Sequence, residues 1–196
     1  MLKVGITGGI GSGKSVVCQV FNTLGIPAFN ADNAAKYLME HDPTLVSNIK
    51  TLFGEEVYIE DKLNRQLLSS IVFNNPKLLQ QLNALVHPLT IAYGKEWMEL
   101  QSAPYIIKEA AIFFESGTYK EMDVMIGVTA PEPLRIRRAM NRDNATREKI
   151  AQRIAQQMDE QEKMNRCDYI ITNDDKTAII PQVERIHQTL LARSKS

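Results

Sequence analysis

Cysteine is scarce. The chain has two, Cys18 and Cys167, far apart in sequence and in no metal-spaced pair, so neither a disulfide framework nor a cysteine-built zinc site is expected. No apolar run approaches the ~20 residues that a membrane helix needs, so no membrane partner is expected. Neither sign of charge dominates: Lys plus Arg and Asp plus Glu both total 23. Bulk charge therefore gives no pull toward nucleic acid, and any cationic site must be local. There is no Ser–His–Asp pattern, no metal-site His/Cys spacing, no internal repeat and no low-complexity tract. The N-terminal residues already read as a strand, which leaves no room for a targeting segment. With the few cysteines, this makes a cytoplasmic location the expectation. The 196 residues, 44% hydrophobic and 23% charged, are ordinary for a globular protein with one core and a small inserted subdomain.

What is present is a glycine loop. Gly8-Gly9-Ile10-Gly11-Ser12-Gly13-Lys14-Ser15 fits G-x-x-x-x-G-K-[ST]. Leu2 to Thr7 before it reads as a short buried strand, and Val16 to Phe21 after it as a helix. Glycines let the backbone turn tightly and bring its N–H groups to phosphate oxygens. The helix behind them aims its positive end at the same place. Lys14 has the reach for β- and γ-phosphates, and the Ser15 hydroxyl suits Mg²⁺.

Strand and helix patterns alternate along the rest of the chain, which argues for a parallel α/β sheet. Gly25 to Asn30, Pro104 to Glu109, Val124 to Thr129 and Tyr169 to Thr172 read as four further strands, about five in all. From about Ala34 to Met98 the pattern is mostly helical, punctuated by Pro43, Gly54, Pro76 and Pro88. Such an insertion suits a second substrate. Lys176 to Ala192 reads as an amphipathic closing helix, and Arg193 to Ser196 as a frayed tail.

Four points beyond the loop carry candidate chemistry. Asp32 lies just past the second strand, where open α/β sheets place ligands. Its carboxylate suits a proton acceptor or a Mg²⁺ partner, but Asn30 or Asp32 capping the next helix accounts for it equally. Arg135, Arg138 and Arg142 share one helical face, with Arg147, Lys149 and Arg153 behind them. They read either as cations for a moving phosphoryl group on a closing lid, or as a solvated basic face. Glu109, at a strand end, is either an acid near Mg²⁺ or a loop carboxylate, and Glu115 reads as a surface acid. His87-Pro88 closes the helical run Leu78 to Val86, because proline ends or bends a helix. A histidine there is more often a cap than a catalyst.

Taken in order, these features resemble the dephospho-coenzyme A kinase family over nearly the whole chain. The resemblance rests on Gly5 to Ser15, Asn30-Ala31-Asp32, Leu63-Asn64-Arg65-Gln66-Leu67 and His87-Pro88. It continues through Phe114-Glu115-Ser116-Gly117, Arg138 to Asp143, Gln156-Gln157-Met158 and Asp168 to Asn173. Glu109 and Ala111 stand where the family usually has Asp and Pro, Arg135 where it often has Gln, and Cys167 where it often has Ala. The resemblance implies an α/β fold of the P-loop NTPase type. Its core would span about 1–33, 103–130 and 165–196, with a helical substrate-binding insert (about 34–102) and an Arg-rich lid (about 131–160).

It also implies a cytoplasmic transferase. ATP and dephospho-CoA would be its substrates and Mg²⁺ its metal, and it would act as a monomer or small homo-oligomer in the final step of coenzyme A biosynthesis. Lys14, Asp32 and Arg138 would be catalytic, with Asp32 the base toward the ribose 3′-hydroxyl. Gly11, Ser12, Gly13, Lys14, Ser15, Val16, Arg142 and Asn173 would bind ATP, with Asn173 near the adenine. Asp32, Arg65 and His87 would hold dephospho-CoA. Ser15 would ligate Mg²⁺, with Glu109 as a second candidate. The rival is another small-molecule kinase, of nucleoside monophosphate or shikimate type. A guanine-dependent switch is disfavoured, because Thr172-Asn173-Asp174-Asp175 lacks the lysine of N-K-x-D.

Overall fold

The computed structural model describes residues 1–73 and 75–195. They divide into two compact units: Met1–Asn30 with Gln101–Ser196, and Ala31–Leu100.

The first unit carries the sheet. Its elements are β1 (Leu2–Thr7), α1 (Lys14–Thr23) and β2 (Ala28–Asn30), then, after the second unit, β5 (Tyr105–Glu109), α6 (Phe113–Ser116), β6 (Val124–Thr129) and α7 (Glu132–Asp143). It closes with α8 (Arg147–Ala155), α9 (Glu160–Asn165), β7 (Tyr169–Thr172) and α10 (Ile179–Arg193). The five strands pair in the order β2-β5-β1-β6-β7, all parallel. β1 is central, and its Val4 and Ile6 are fully buried. They share one core cluster with Val17 and Phe21 of α1, Ile107, Ile126 and Ile171 of the neighbouring strands, and Val183 and Leu190 of α10. A strand buried on both faces needs apolar residues without alternation, as in Ile106-Ile107 or Val124-Met125-Ile126. This burial fixes the C-terminal ends of β1 and β5, where Thr7 and Glu109 hand over to loops.

The second unit is helical, with α2 (Ala31–His41), α3 (Pro43–Phe53), α4 (Arg65–Phe73) and α5 (Pro76–Glu99). Between α3 and α4 lies a short antiparallel ribbon of β3 (Tyr58–Ile59) and β4 (Lys62–Leu63). The ribbon is too short to be read from residue pattern. Leu45, Ile49, Phe53, Val57, Leu68, Leu82 and Val86 form the unit's core. Asp42, Asn64 and Asn75 accept from Leu45, Leu67 and Leu78 backbone N–H groups, so three of its helices start on side-chain caps.

Two terminal expectations need correction. Pro88 does not close a helix: it sits inside the 24-residue α5. A proline inside a helix, through its lost N–H and its ring clash, costs about 3 kcal/mol, but Leu82, Val86 and Leu89 all pack on the core and hold the helix on course. At the C-terminus, Arg193 and Ser194 are not frayed. Arg193 is helical and donates to the Asp123 carbonyl at 3.2 Å, and the Ser194 N–H donates to Leu190 at 2.9 Å. Ser196 lies outside the described residues.

Candidate active site

The glycine loop runs from the end of β1 to the first residue of α1. The Ser12 N–H donates to the Gly9 carbonyl at 3.1 Å and closes a tight turn. Gly13, at φ 91°, stands at the N-cap of α1, with no side-chain cap and no acidic residue in the first helical turn. The Val16 N–H turns back to the Gly13 carbonyl at 3.1 Å, and the positive end of the helix faces outward as a place for an anion. The Lys14 ammonium folds back over the loop and donates to the Gly8 and Gly9 carbonyls at 3.0 and 3.3 Å. Ser15 and Val16 are exposed on the first turn.

Partners far away in sequence fix the shape of this loop. The Ile10 N–H donates to Gln157 Oε1 at 3.0 Å. Asn173 Nδ2 donates to the Ser12 carbonyl at 2.9 Å. A Cβ on Gly11 would run into the Arg135 backbone carbonyl, and one on Gly13 into the Asn173 amide. With φ 77° and 91°, both positions exclude side chains on conformational grounds as well.

The three arginines of the α7 face have separate fates. Arg135 is buried, at 4% exposure; it lies against Gly9 and donates to Glu160 Oε2 at 3.2 Å. It is therefore a structural cation behind the loop and not part of a solvated basic face. Arg138 Nη1 and Nη2 donate to the Asn173 carbonyl and Oδ1 at 3.0 and 3.2 Å, and Nη2 also meets Asp175. Its guanidinium stands beside Gly13. Arg142 makes a paired contact to Asp143 at 2.7 and 3.1 Å, and Arg153 of α8 joins the same carboxylate at 2.6 Å. The Arg142 hydrogen bonds, then Arg153, outweigh partial burial and hold the Asp143 carboxyl down at about 2.

At the end of β5, Glu109 is nearly buried, and its Oε2 accepts from Asn30 Nδ2 at 2.7 Å. Burial, then the charge and hydrogen bond of Glu109, push the Cys18 thiol far above its ordinary range, while the Lys14 charge acts the other way. Cys18 is thus a buried, unreactive thiol under the loop. Glu115 is not a free surface acid. It accepts from the Met158 N–H and from the fully buried Lys163 ammonium, both at 2.9 Å. Partial burial opposes its charge, yet those two donors prevail and keep the Glu115 carboxyl below the usual carboxylate range. Lys163 also donates to the Ala111 carbonyl at 2.9 Å, tying α9 to the loop after β5.

The remaining candidates belong to the helical unit. Asp32 is exposed in the first turn of α2, two residues beyond the end of β2, where a helix favours a negative charge. Asn30 spends its amide on Glu109. Arg65 opens α4 and pairs with Glu40 at 2.9 Å. His87 is exposed in mid-α5 and caps no helix end.

Among the described residues no cluster of three or more His, Cys, Asp or Glu could cage a metal ion, and no helix is long and apolar enough to cross a membrane. Sequence reading missed three supporting contacts: Arg135 with Glu160 and Gln157 with Ile10 at the glycine loop, and Lys163 with Glu115 at the loop after β5. Arg135, Gln157 and Glu115 lay in stretches the sequence singles out, but their partners left no signal.

The model of the family described as dephospho-CoA kinase matches residues 2–178. A curated relative, dephospho-CoA kinase from Bacteroides fragilis, is 40% identical over 183 residues, covering 93% of this chain and 89% of its own. Among solved structures, TT1252 from Thermus thermophilus superposes with a TM-score of 0.83 at 32% identity, over 98% of this chain and 97% of that one. Dephospho-CoA kinase from Campylobacter jejuni gives 0.70 at 27% identity, over 97% and 98%. The loop at the end of a central parallel strand, the arginines of α7 and a family match over nearly all its length lead to one conclusion: the chain belongs to the dephospho-CoA kinase family.

Proposed function

We propose that this chain transfers the γ-phosphoryl group of ATP to the ribose 3′-hydroxyl of dephospho-CoA, giving coenzyme A and ADP. The observation that carries the reading is the uncapped N-terminus of α1. There the Lys14 ammonium is folded over the loop carbonyls and the Arg138 guanidinium stands beside Gly13. Two cations and the positive end of α1 meet where transferring charge must be stabilised.

In this reading, the Gly11 to Val16 backbone and the Ser12 and Ser15 region cradle the ATP phosphates. Lys14 follows the β- and γ-oxygens, Arg138 stabilises the phosphoryl group in flight, and Arg142 and Asn173 complete the ATP side. Asp32 accepts the proton as the 3′-oxygen bonds to phosphorus; the bond to the β–γ bridging oxygen breaks, and its electron pair leaves with ADP. Arg65 and His87 of the helical unit help hold the acceptor. The α7–α8 segment acts as the lid.

The exposed Ser15 hydroxyl fits Mg²⁺, which needs few protein ligands when phosphates supply the rest. Held there, Mg²⁺ would supply charge neutralisation for the β- and γ-phosphates. Glu109, with one oxygen engaged by Asn30, would be the second residue to hold it.

A panel of acceptors with ATP and Mg²⁺ tests the assignment. Dephospho-CoA should turn over, while shikimate and nucleoside monophosphates stay inert; the reverse pattern would sink the reading. Asp32→Asn should lower kcat by ~10²–10⁴-fold with the fold intact. Near-normal turnover would leave Asp32 as a helix-end charge only.

A further inference from the structure

We propose that Asn173 is a positioning residue that locks Arg138 to the phosphate loop, and that it does not read the adenine ring. This rests on the assignment of Arg138 to the phosphates made above.

Asn173 follows β7 and is only 7% exposed. Its backbone N–H donates to the Thr129 carbonyl at 2.8 Å, so the residue is anchored to the end of β6. From that anchor it reaches two ways. Nδ2 donates to the Ser12 carbonyl at 2.9 Å and sits against Gly13, where a Cβ would collide with it. Oδ1 and the main-chain carbonyl accept from the two terminal nitrogens of Arg138, at 3.2 and 3.0 Å. A guanidinium held at both tips by one residue has its plane fixed. The other partner of Arg138 is Asp175, which is 54% exposed on its side chain and shared with Arg137.

One buried amide therefore joins the loop's turn to the cation beside it. Its acceptor and one donor hydrogen are engaged inside the protein. An amide used in this way is not turned toward a nucleobase. Without it, the Ser12 carbonyl loses a buried partner, and Arg138 keeps the Asn173 main-chain carbonyl and the solvent-facing Asp175 but loses the second bond that fixes its plane. The loop and the arginine would then vary independently.

The test is a kinetic double-mutant cycle with dephospho-CoA as acceptor: Asn173→Ala, Arg138→Ala and the pair. Arg138→Ala should lower kcat by ~10²-fold, as losing one transition-state donor does. Asn173→Ala should lower it by at least ~10-fold, and the pair should be within ~3-fold of Arg138→Ala alone, because both changes remove one function. The preference for ATP over ITP in kcat/KM should not move. Asn173→Leu, which restores the volume without the bonds, should be as slow as Asn173→Ala and also covers any failure of the alanine variant to fold. Additive losses, a collapsed ATP preference or rescue by leucine would overturn the inference while leaving Arg138 at the phosphates. Wild-type turnover by Arg138→Ala would overturn the reading of Arg138, and this inference with it.

Discussion

Replacing Arg135 with alanine should destabilise the protein far more than a change on a basic helix face normally does. Its side chain is 5% exposed and donates to Glu160 at 3.2 Å, and Glu160 keeps 23% exposure. Removing one partner of a buried ion pair leaves the other uncompensated, at a cost of about 3–5 kcal/mol. Partial exposure of Glu160 and a single bond place this pair at the lower end, about 3 kcal/mol. A chain of this size loses about 2–4 °C of melting temperature per kcal/mol, so the midpoint should fall by ~6–12 °C. Arg135 Nε and Glu160 Oε1 have no partner among the described residues, so the pair is itself only half satisfied. Replacing both residues with methionine should therefore recover most of the loss, to within ~1 kcal/mol of the parent. Calorimetric melts of the parent, the single and the double variant decide the matter. A drop under ~2 °C for Arg135→Ala, or a double variant as unstable as the single, would show that the pair does not carry the energy assigned to it.

Other consequences follow from neighbouring contacts. Asp143 titrates well below an unfolded carboxylate, so its pairing with Arg142 and Arg153 stabilises the fold above pH ~4 and fades as pH falls toward 2. Urea melts should show Asp143→Asn less stable than the parent at pH 6, with the gap closing by pH ~2.5. Glu115→Gln should cost about 3–5 kcal/mol by chemical denaturation, because it leaves the fully buried Lys163 ammonium without a counter-charge. Lys163→Ala should cost about 1–3 kcal/mol, because the Ala111 carbonyl loses its donor while Glu115 keeps the Met158 N–H and contact with water. Gly13→Ala must place a side chain at φ 91° against the Asn173 amide, and calorimetric titration should find ATP binding lost.

The sheet was legible because its three inner strands, β5, β1 and β6, are largely buried on both faces and read as apolar runs. β1, β6 and β7 fall on the residues their composition marks, and β2 and β5 are shortened only at their N-terminal ends. The closing helix begins at Ile179 and not at Lys176, because the Asp174 side chain captures the Lys176 and Thr177 N–H groups in a turn first. Helical spacing placed Arg135, Arg138 and Arg142 together but says nothing of what packs against a face. That is why Arg135 reads as either a lid cation or a solvated charge and proves buried. The same blindness hid Lys163, whose charge argues for the surface until Glu115, 48 residues away, is found beside it. Pro88 misled in the opposite direction, since a local rule was overridden by apolar packing on either side of it.

The bond from Asn173 to Ser12 spans 161 residues. The phosphate loop is thus made well before the residue that completes its shape. Until β7 has paired with β6, Ser12 and Gly13 lack the amide that shapes them. Nucleotide binding in a growing chain should therefore tighten when β7 pairs with β6 and brings Asn173 to Ser12.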